Sequence, residues 1–292
     1  MSSTAGETWT LQQLLTWCTD DFRKRGIPSP RLDAELLVSH ALGIDRVRIY
    51  LDFERPLTPE ERASIRALVE RRRRREPVAY IVGERAFYGR TFAVGPGVLV
   101  PRPDSETLIE RALELLPIQS DMHVLDVGTG SGCLGITLVA ERPHATVTLV
   151  DVSEDALRVA QQNAAALGVA DRVSLLRSDL FAAVSAPAGG FDLIVSNPPY
   201  IPTGDLAGLM PDVIQHEPRL ALDGGRDGLD LVRRLIAGAR KQLRPGGSLL
   251  IEIGIGQADA CVALLTEAGF LEATSHRDLG RIPRVVEGRQ PA

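Results

Sequence analysis

One tetrapeptide has residue types that are well suited to binding a ligand. It follows the apolar run 191–196 and consists of Asn197, Pro198, Pro199 and Tyr200. The prolines lack a backbone N–H, so this turn presents carbonyl oxygens without competing donors. The Asn197 side-chain oxygen is a further acceptor, and Tyr200 offers a flat ring with a hydroxyl. Such a rim could bind a planar NH2 group of an amide or an amino purine. An ordinary Pro-rich turn, with an Asx-type bond at Asn197, explains the same residues.

A glycine-rich loop is the second candidate site, and it consists of Gly128, Thr129, Gly130, Ser131 and Gly132. Glycines after a strand let a ligand approach the backbone. The Gly-x-Gly-x-Gly spacing differs from the Gly-x-Gly-x-x-Gly of nicotinamide-dependent enzymes. With an aspartate, Asp126, ahead of the loop, this spacing suits the amino-acid portion of S-adenosylmethionine. We therefore expect a methyl donor here.

Acidic residues follow the next two predicted strands. Asp151 lies nineteen residues beyond Gly132, where a carboxylate can accept hydrogen bonds from both hydroxyls of a ribose. Asp179 could accept from an adenine amino group while Leu180 lies against the ring, although Asp179 could equally cap a helix or form a turn. Together these residues predict a nucleoside across adjacent strand ends, where open α/β sheets bind ligands.

Residues 1–83 are predicted to form a small helical domain. Apolar residues recur every three or four positions from Leu11 to Phe22, and Thr58 with Glu61 has the capping-box spacing of a helix start. A run of five arginines, 71–75, closes the last long helix. We interpret this run as a solvated face at a helix C-terminus, with docking to an RNA-bearing or acidic partner as the alternative.

The rest of the chain is predicted to be α/β. Glycines, prolines and aromatic residues in 84–102 favour a β-hairpin linker. In 103–292, short strands alternate with helices, which indicates a mostly parallel sheet covered on both faces. The expected strands lie near residues 124–126, 146–150, 173–176, 192–195 and 248–253, followed by an edge hairpin at 270–274 and 284–287.

Composition excludes several classes of protein. The formal net charge of −5 argues against general nucleic-acid binding. The three cysteines lack the spacing of a zinc site or a disulfide framework, so we expect reduced thiols and no metal. The polar N-terminus with Glu7 does not resemble a signal peptide, and no run reaches the roughly 18 apolar residues of a membrane span. A cytoplasmic protein is expected.

These motifs jointly resemble the HemK/PrmC-type release-factor glutamine N5-methyltransferases, nearly end to end. Beyond the two sites above, the resemblance rests on three segments, which are 76–83 (EPVAYIVG), 100–106 (VPRPDSE) and 216–222 (HEPRLAL). Asn-Pro-Pro-Tyr alone also occurs in methyltransferases that act on adenine in DNA. The resemblance implies a class I, Rossmann-like methyltransferase domain with a seven-stranded, mostly parallel sheet in 103–292, and a substrate-recognition domain in 1–83.

The resemblance also implies the reaction. A methyl group would pass from S-adenosylmethionine, leaving S-adenosylhomocysteine, to the glutamine amide in the Gly-Gly-Gln motif of class I peptide chain release factors. The Asn197 side chain and the Pro198 carbonyl would accept the two amide hydrogens, beside Pro199, and Tyr200 would pack on the glutamine. A monomer without a nucleic-acid substrate or a membrane partner is expected. Leu180 stands where some members have an aromatic residue.

Three other functions remain as alternatives. A ribosomal-protein glutamine methyltransferase shares Asn-Pro-Pro-Tyr but differs in the segment before its catalytic domain. A nucleic-acid adenine amino methyltransferase predicts a basic cleft and aromatic residues for a flipped base, which the composition disfavours. A donor-binding module without catalysis would not need an intact tetrapeptide.

Several further residues have two interpretations each. His216 and Glu217 could line a substrate channel or order a loop. The segment 102–106 could fold over the donor or simply start a helix at Asp104. We interpret Cys133 as a packing residue and Glu252 as the solvent end of a strand.

Overall fold

The computed structural model describes residues 9–292, so the N-terminal residues 1–8, including Glu7, lie outside the described part. The chain divides into two compact units. The helical unit contains the described residues up to Gly83 together with Pro211–His216. The sheet unit contains Glu84–Met210 and Glu217–Ala292. Within residues 9–292, no helix is long and apolar enough to cross a membrane.

The α-helices follow the apolar periodicity of the sequence. In chain order they are α1 Leu11–Lys24, α2 Pro30–Leu42, α3 Arg46–Leu51, α4 Pro59–Arg73, α5 Val78–Val82, α6 Glu106–Leu115, α7 Cys133–Glu141, α8 Glu154–Ala166, α9 Pro211–Ile214, α10 Asp230–Ala239 and α11 Ala258–Glu267. The predicted capping box at Thr58 and Glu61 starts α4. A second box, between Thr10 and Gln13, starts α1.

The β-strands confirm the predicted positions. They are β1 Glu84–Phe87, β2 Arg90–Ala93, β3 His123–Val127, β4 Thr146–Asp151, β5 Val173–Arg177, β6 Phe191–Ser196, β7 Leu243–Glu252, β8 Leu271–Arg277 and β9 Pro283–Arg289. A seven-stranded sheet has the order β5-β4-β3-β6-β7-β9-β8, in which β9 pairs antiparallel with β7 and β8. The other pairs are parallel, so the carboxyl ends of β3, β4 and β6 meet at one edge.

The helical unit is built on an apolar core and an internal ion-pair cluster. Arg72 is only 3% exposed, and its Nε lies 2.8 Å from Asp33 Oδ2. Its Nη2 lies 2.5 Å from Asp212 Oδ2, on α9. Burial raises the pKa of the Asp33 carboxyl, and Arg72 acts against that rise. The expectation of a solvated arginine face is therefore wrong for Arg72, because its guanidinium neutralises two carboxylates inside the unit.

The β1-β2 hairpin belongs to the sheet unit. Phe87 and Phe92 are buried in the core of that unit, with ring centroids 6.1 Å apart in an edge-on arrangement. Asn163 on α8 joins the hairpin to the glycine loop. Its Oδ1 accepts from Ala93 N at 2.7 Å, and its Nδ2 donates to Ser131 O at 2.8 Å. Asn163 thus links the β1-β2 hairpin to the glycine loop through one side chain.

The start of α7 is held close to the sheet by Gly135. A Cβ at this position would lie 2.4 Å from Leu149 Cδ2 and 2.9 Å from Val147 Cγ2, which is closer than packed atoms tolerate. Glycine therefore lets α7 approach β4 closely.

Glu287 on β9 should stabilise the sheet unit in a pH-dependent way. It accepts from Arg111 Nε at 2.6 Å, and His276 Nε2 lies 2.7 Å from it. Burial acts to raise the pKa of Glu287, but the hydrogen bonds from His276 and Arg111 outweigh it and lower the pKa to about 2. A lowered carboxyl pKa adds stability that is complete above the unfolded value of about 4.3 and is lost as pH falls towards 2.

We expect Glu287→Gln to lower the free energy of unfolding at neutral pH by about 3 kcal/mol, from a shift of about two pKa units. The difference from wild type should shrink as pH falls from about 4 to about 2. Urea denaturation at several pH values measures it. Glu272→Gln is the matched control, because Glu272 is 70% exposed and 3.6 Å from Arg289. Equal losses for both variants would contradict the prediction.

Candidate active site

A cavity of about 490 Å³ opens at the carboxyl ends of β3, β4 and β6, a volume typical of small-molecule sites. Most of the site residues expected from the sequence line it, namely Gly128, Thr129, Gly130, Ser131, Asp151, Asp179, Leu180, Asn197, Pro198 and Pro199. Gly132 lies at the start of α7 instead. The structure therefore brings the glycine loop and the tetrapeptide to one cavity.

The glycine loop is shaped by a buried carboxyl beneath it. Asp126 is fully buried, and its Oδ2 accepts from Thr129 Oγ1 at 2.6 Å and from Gly135 N at 3.0 Å. Burial raises the pKa of Asp126 to about 6. Gly130 has φ 56°, a left-handed conformation that favours glycine. The loop therefore presents its backbone, rather than side chains, to the cavity.

Asp151 lies at the end of β4 and also organises the loop. Its Oδ2 accepts from Gly130 N at 2.9 Å, and its Oδ1 accepts from Ser153 N at 2.9 Å. An ionised carboxylate has about four lone-pair sites, so two backbone bonds leave acceptor capacity for ligand hydroxyls. The side chain is half-buried and lines the cavity. Its position is suited to a ribose.

Asp179 and Leu180 lie on the cavity wall beyond β5. The Asp179 carboxylate pairs with Arg234 Nη2 at 2.7 Å, and both side chains are more than half exposed. An adenine amino group would have to share this carboxylate with Arg234. Leu180 has φ 49°, which is unusual for a residue other than glycine. Their contacts with adenine stay a prediction.

The tetrapeptide begins where β6 ends. Ser196 Oγ donates to Val127 O at 2.7 Å, which ties the ends of β6 and β3 together. Asn197 Nδ2 donates to Ser105 Oγ at 3.3 Å. Because this bond uses the amide nitrogen, the Asn197 side-chain oxygen remains as an acceptor beside Pro198 and Pro199.

Tyr200 is not among the residues that line the cavity, unlike Pro198 and Pro199. A Cβ on Gly254 would lie 3.1 Å from Tyr200 Cδ2, so the ring is packed against the turn after β7. Gln257 Nε2 donates to Tyr200 O at 2.9 Å and its Oε1 accepts from Gly254 N at 2.8 Å. Burial raises the pKa of the Tyr200 hydroxyl to about 12, so it stays neutral. Gln257 was not found from the sequence, because only the fold brings it to this turn.

The segment before α6 is clamped over the cavity by Glu217. Glu217 Oε2 accepts from Val100 N at 3.2 Å, and its Oε1 pairs with Arg102 Nη2 at 2.5 Å. Arg102 and Ser105 both line the cavity. Glu217 thus holds the segment 100–102 through long-range bonds, whereas the sequence suggested a loop ordered by local bonds. His216 belongs to the helical unit, where its Nε2 lies 3.1 Å from Arg74 O.

Glu252 does not mark a solvent-exposed strand end, so that interpretation is wrong. It is only 2% exposed, and its Cα is paired with Val285 of the neighbouring strand β9. Burial raises its pKa to about 7. Cys133 is partly exposed and lines the cavity. Desolvation raises the pKa of its thiol to about 12, so it stays protonated, which does not favour a nucleophile.

Known proteins are similar to this chain over nearly its whole length. Residues 13–83 match the PrmC N-terminal domain, and residues 104–225 match the methyltransferase small domain. A release factor glutamine methyltransferase of Geobacter sulfurreducens is 46% identical over 97% of this chain and 98% of its own length. One of Cereibacter sphaeroides is 47% identical over 91% of this chain and 94% of its own length. This chain belongs to the release factor glutamine methyltransferase family.

Solved structures agree with the sheet topology. A Pyrococcus furiosus methyltransferase is similar with a TM-score of 0.53 and 19% identity, over 71% of this chain and 92% of that one. A Thermus thermophilus 16S rRNA N2 G1207 methyltransferase, solved with S-adenosylmethionine and guanosine, has a TM-score of 0.53 and 23% identity. It covers 71% of this chain and 49% of that one. At these identities the likeness establishes the class I methyltransferase fold alone.

Proposed function

We propose that this member of the release factor glutamine methyltransferase family transfers a methyl group from S-adenosylmethionine to a glutamine side-chain amide of a class I peptide chain release factor. The observation that carries the proposal is a single cavity lined by both the glycine loop and Asn197 with its two prolines. Such a cavity can hold a nucleoside donor and a planar amide side by side.

The glycine loop and Asp151 fit the donor. The backbone around Gly130 leaves room for a ligand, since a Cβ on Gly130 would meet nothing within 4 Å. Asp151 keeps lone pairs for the ribose hydroxyls, and Leu180 offers an apolar surface for the adenine. When bound, S-adenosylmethionine supplies an electrophilic methyl group on a sulfonium sulfur. The apolar character of the remaining lining, with Val98, Leu99 and Leu134, would exclude water.

The rim beside Asn197 fits the acceptor. An amide nitrogen is a poor nucleophile because its lone pair is delocalised into the carbonyl, so positioning must carry much of the catalysis. The Asn197 Oδ1 and the Pro198 carbonyl would accept the two amide hydrogens and aim the nitrogen at the methyl carbon. A new N–C bond would replace the S–C bond of the donor and leave S-adenosylhomocysteine. The same two oxygens would stabilise the positive charge that develops on nitrogen, which would then release one proton to solvent.

The identity of the protein substrate rests on the relatives. Both relatives quoted above carry the release factor glutamine methyltransferase name, and each alignment spans more than nine-tenths of this chain. In the proposed substrate the glutamine lies in a Gly-Gly-Gln motif, and flanking glycines suit insertion of an extended chain into a narrow site. We propose that the enzyme acts as a monomer, without a metal. The three free cysteines of the described chain suit the reducing cytoplasm.

The test is a transfer assay with the purified protein, labelled S-adenosylmethionine and an intact class I release factor. We expect label in the wild-type Gly-Gly-Gln factor and background label in the Gly-Gly-Ala variant of the same factor. Equal labelling of both factors would reject the proposed target. A parallel incubation with purified ribosomal proteins tests the related activity, and labelling there without labelling of the release factor would favour it.

A further inference from the structure

Glu252 is a buried carboxyl in the sheet unit that the proposed reaction does not use. It ends β7, the strand beside β6, and β6 carries the tetrapeptide. Its Oε2 has no hydrogen-bond partner among the described residues, although the side chain is 2% exposed. Burying a carboxyl oxygen that has no hydrogen-bond partner costs free energy, so its retention calls for a reason.

The groups that face Glu252 connect it to the rim of the cavity. Ser196 on β6 pairs with Ile251 on β7 in parallel register, so Asn197 and Glu252 are the next residues along two neighbouring strands. The Ser105 hydroxyl and the Asn197 amide act to lower the pKa of the Glu252 carboxyl, which favours its charged form. Ser105 is 2% exposed, and its Oγ accepts from Asn197 Nδ2 at 3.3 Å. Since that oxygen accepts from Asn197, its own hydrogen must go to another acceptor. The carboxylate of Glu252 supplies one.

This arrangement decides which way the Asn197 amide points. An ionised carboxylate only accepts hydrogen bonds, whereas the two ends of an asparagine amide differ, with NH2 donating and oxygen accepting. A carboxylate behind Asn197 therefore attracts its Nδ2 end. The Oδ1 end is then turned towards the cavity, where the proposed substrate presents its own NH2 group. The opposite orientation would set two donors against each other.

We propose that Glu252 is a positioning residue: with the Ser105 hydroxyl, its carboxylate fixes the Asn197 amide so that Oδ1 faces the substrate. The inference rests on the proposed function for the identity of that substrate. The orientation itself depends only on residues of this chain. Among the described residues, Glu252 is not one of those that line the cavity. It would therefore affect the substrate only by orienting Asn197.

The proposal has a pH signature. Burial raises the pKa of Glu252 to about 7, with Asp104 acting in the same direction and Arg284 against it. A protonated carboxyl can donate, so it no longer selects the Nδ2 end of Asn197. Tyr200 and Cys133, which also interact electrostatically with Glu252, have pKa values raised to about 12 and stay uncharged near neutrality. Asp126, with a pKa raised to about 6, shapes the donor loop instead.

The decisive variant is Glu252→Gln, which keeps the shape of the side chain but brings a donor. At saturating donor we expect wild-type kcat to fall with an apparent pKa near 7 as pH decreases, and this acidic limb to vanish in Glu252→Gln. The variant should lose at least about tenfold in kcat at neutral pH, less than the roughly 100- to 1,000-fold loss of a complete oxyanion-type contact. Donor affinity should be unchanged.

Glu287→Gln is the matched control, because it removes a buried carboxylate from the adjacent strand without contact to Asn197. It should lower thermal stability yet keep wild-type kcat per folded molecule and the acidic limb. If Glu252→Gln behaves like this control, Glu252 is merely structural and the proposal is overturned.

A measurement without substrate separates this inference from the proposed function. In wild-type protein with 15N-labelled asparagine, the side-chain NH2 signals of Asn197 should shift with a midpoint near the pKa of Glu252, about 7. The signals can be assigned by their loss in Asn197→Asp. Signals that are identical in wild type and Glu252→Gln over about pH 5 to pH 9 would overturn the positioning role, even if methyl transfer to release factors is observed. Conversely, a shift without any methyl transfer would leave the orientation intact and reject only the proposed function.

Discussion

Asn197→Ala should lower kcat about 100- to 1,000-fold, which corresponds to about 2.7–4 kcal/mol of transition-state stabilisation. The substitution removes one of the two acceptors that would aim the substrate nitrogen and share its developing positive charge. Single-turnover methyl transfer to an intact release factor measures the chemical step directly. Because the donor is bound mainly by the glycine loop and Asp151, its affinity should fall much less.

Two controls belong to the Asn197→Ala experiment. Donor binding, followed by calorimetry, should show that the cavity still forms. Urea denaturation should show a small change in the free energy of unfolding, since the Nδ2 bond to Ser105 is long at 3.3 Å. Near-normal turnover by a variant that folds and binds the donor would contradict the role assigned to Asn197.

Arg72→Leu should destabilise the helical unit by about 3–5 kcal/mol, because it leaves the Asp33 carboxylate buried without a counter-charge. Among the described residues, Asp212 would keep only the more distant Arg75, whose Nη1 lies 3.6 Å from Asp212 Oδ1. Asp33 and Asp212 have side chains that are 12% and 14% exposed, so water cannot replace the guanidinium fully. Arg74→Leu is the matched control, since Arg74 follows α4 directly and is exposed. We expect a change within about 0.5 kcal/mol for the control.

Urea denaturation monitored by the fluorescence of Trp9 and Trp17, which pack against the core of the helical unit, measures both variants. A loss for Arg72→Leu that does not exceed that of Arg74→Leu would show that the buried ion pairs contribute little. Since burial raises the pKa of Asp33 in the intact unit, the destabilised variant should recover part of its loss as pH falls and the carboxyl becomes neutral.

The sheet and the cavity were predictable because their signals are local. Short apolar runs bounded by glycine or aspartate place β3, β4 and β6, and parallel strands bring their carboxyl ends to one edge. Asp151 and the tetrapeptide follow those strands directly. They therefore lie in one cavity because each directly follows a strand of the same parallel sheet, which their positions in the sequence already indicate.

The supporting partners were not predictable, because their contacts join distant parts of the chain. Arg72 was interpreted from its arginine neighbours alone, yet its partners Asp33 and Asp212 are 39 and 140 residues away. Glu252 was misread for a similar reason. A charged residue after an apolar strand usually meets solvent, but β9 returns beside β7 and pairs with it there. Only the fold reveals such neighbours.

The helical unit is not encoded by one continuous stretch of sequence, because Pro211–His216 belongs to it. The chain therefore crosses between the two units three times, after Gly83, after Met210 and after His216. A fragment that ends at Gly83 would lack the Asp212 carboxylate that pairs with Arg72. A single protease cut after Gly83 would leave the fragments still associated through that buried pair. To express the helical unit alone, residues 211–216 must be kept together with the residues up to Gly83.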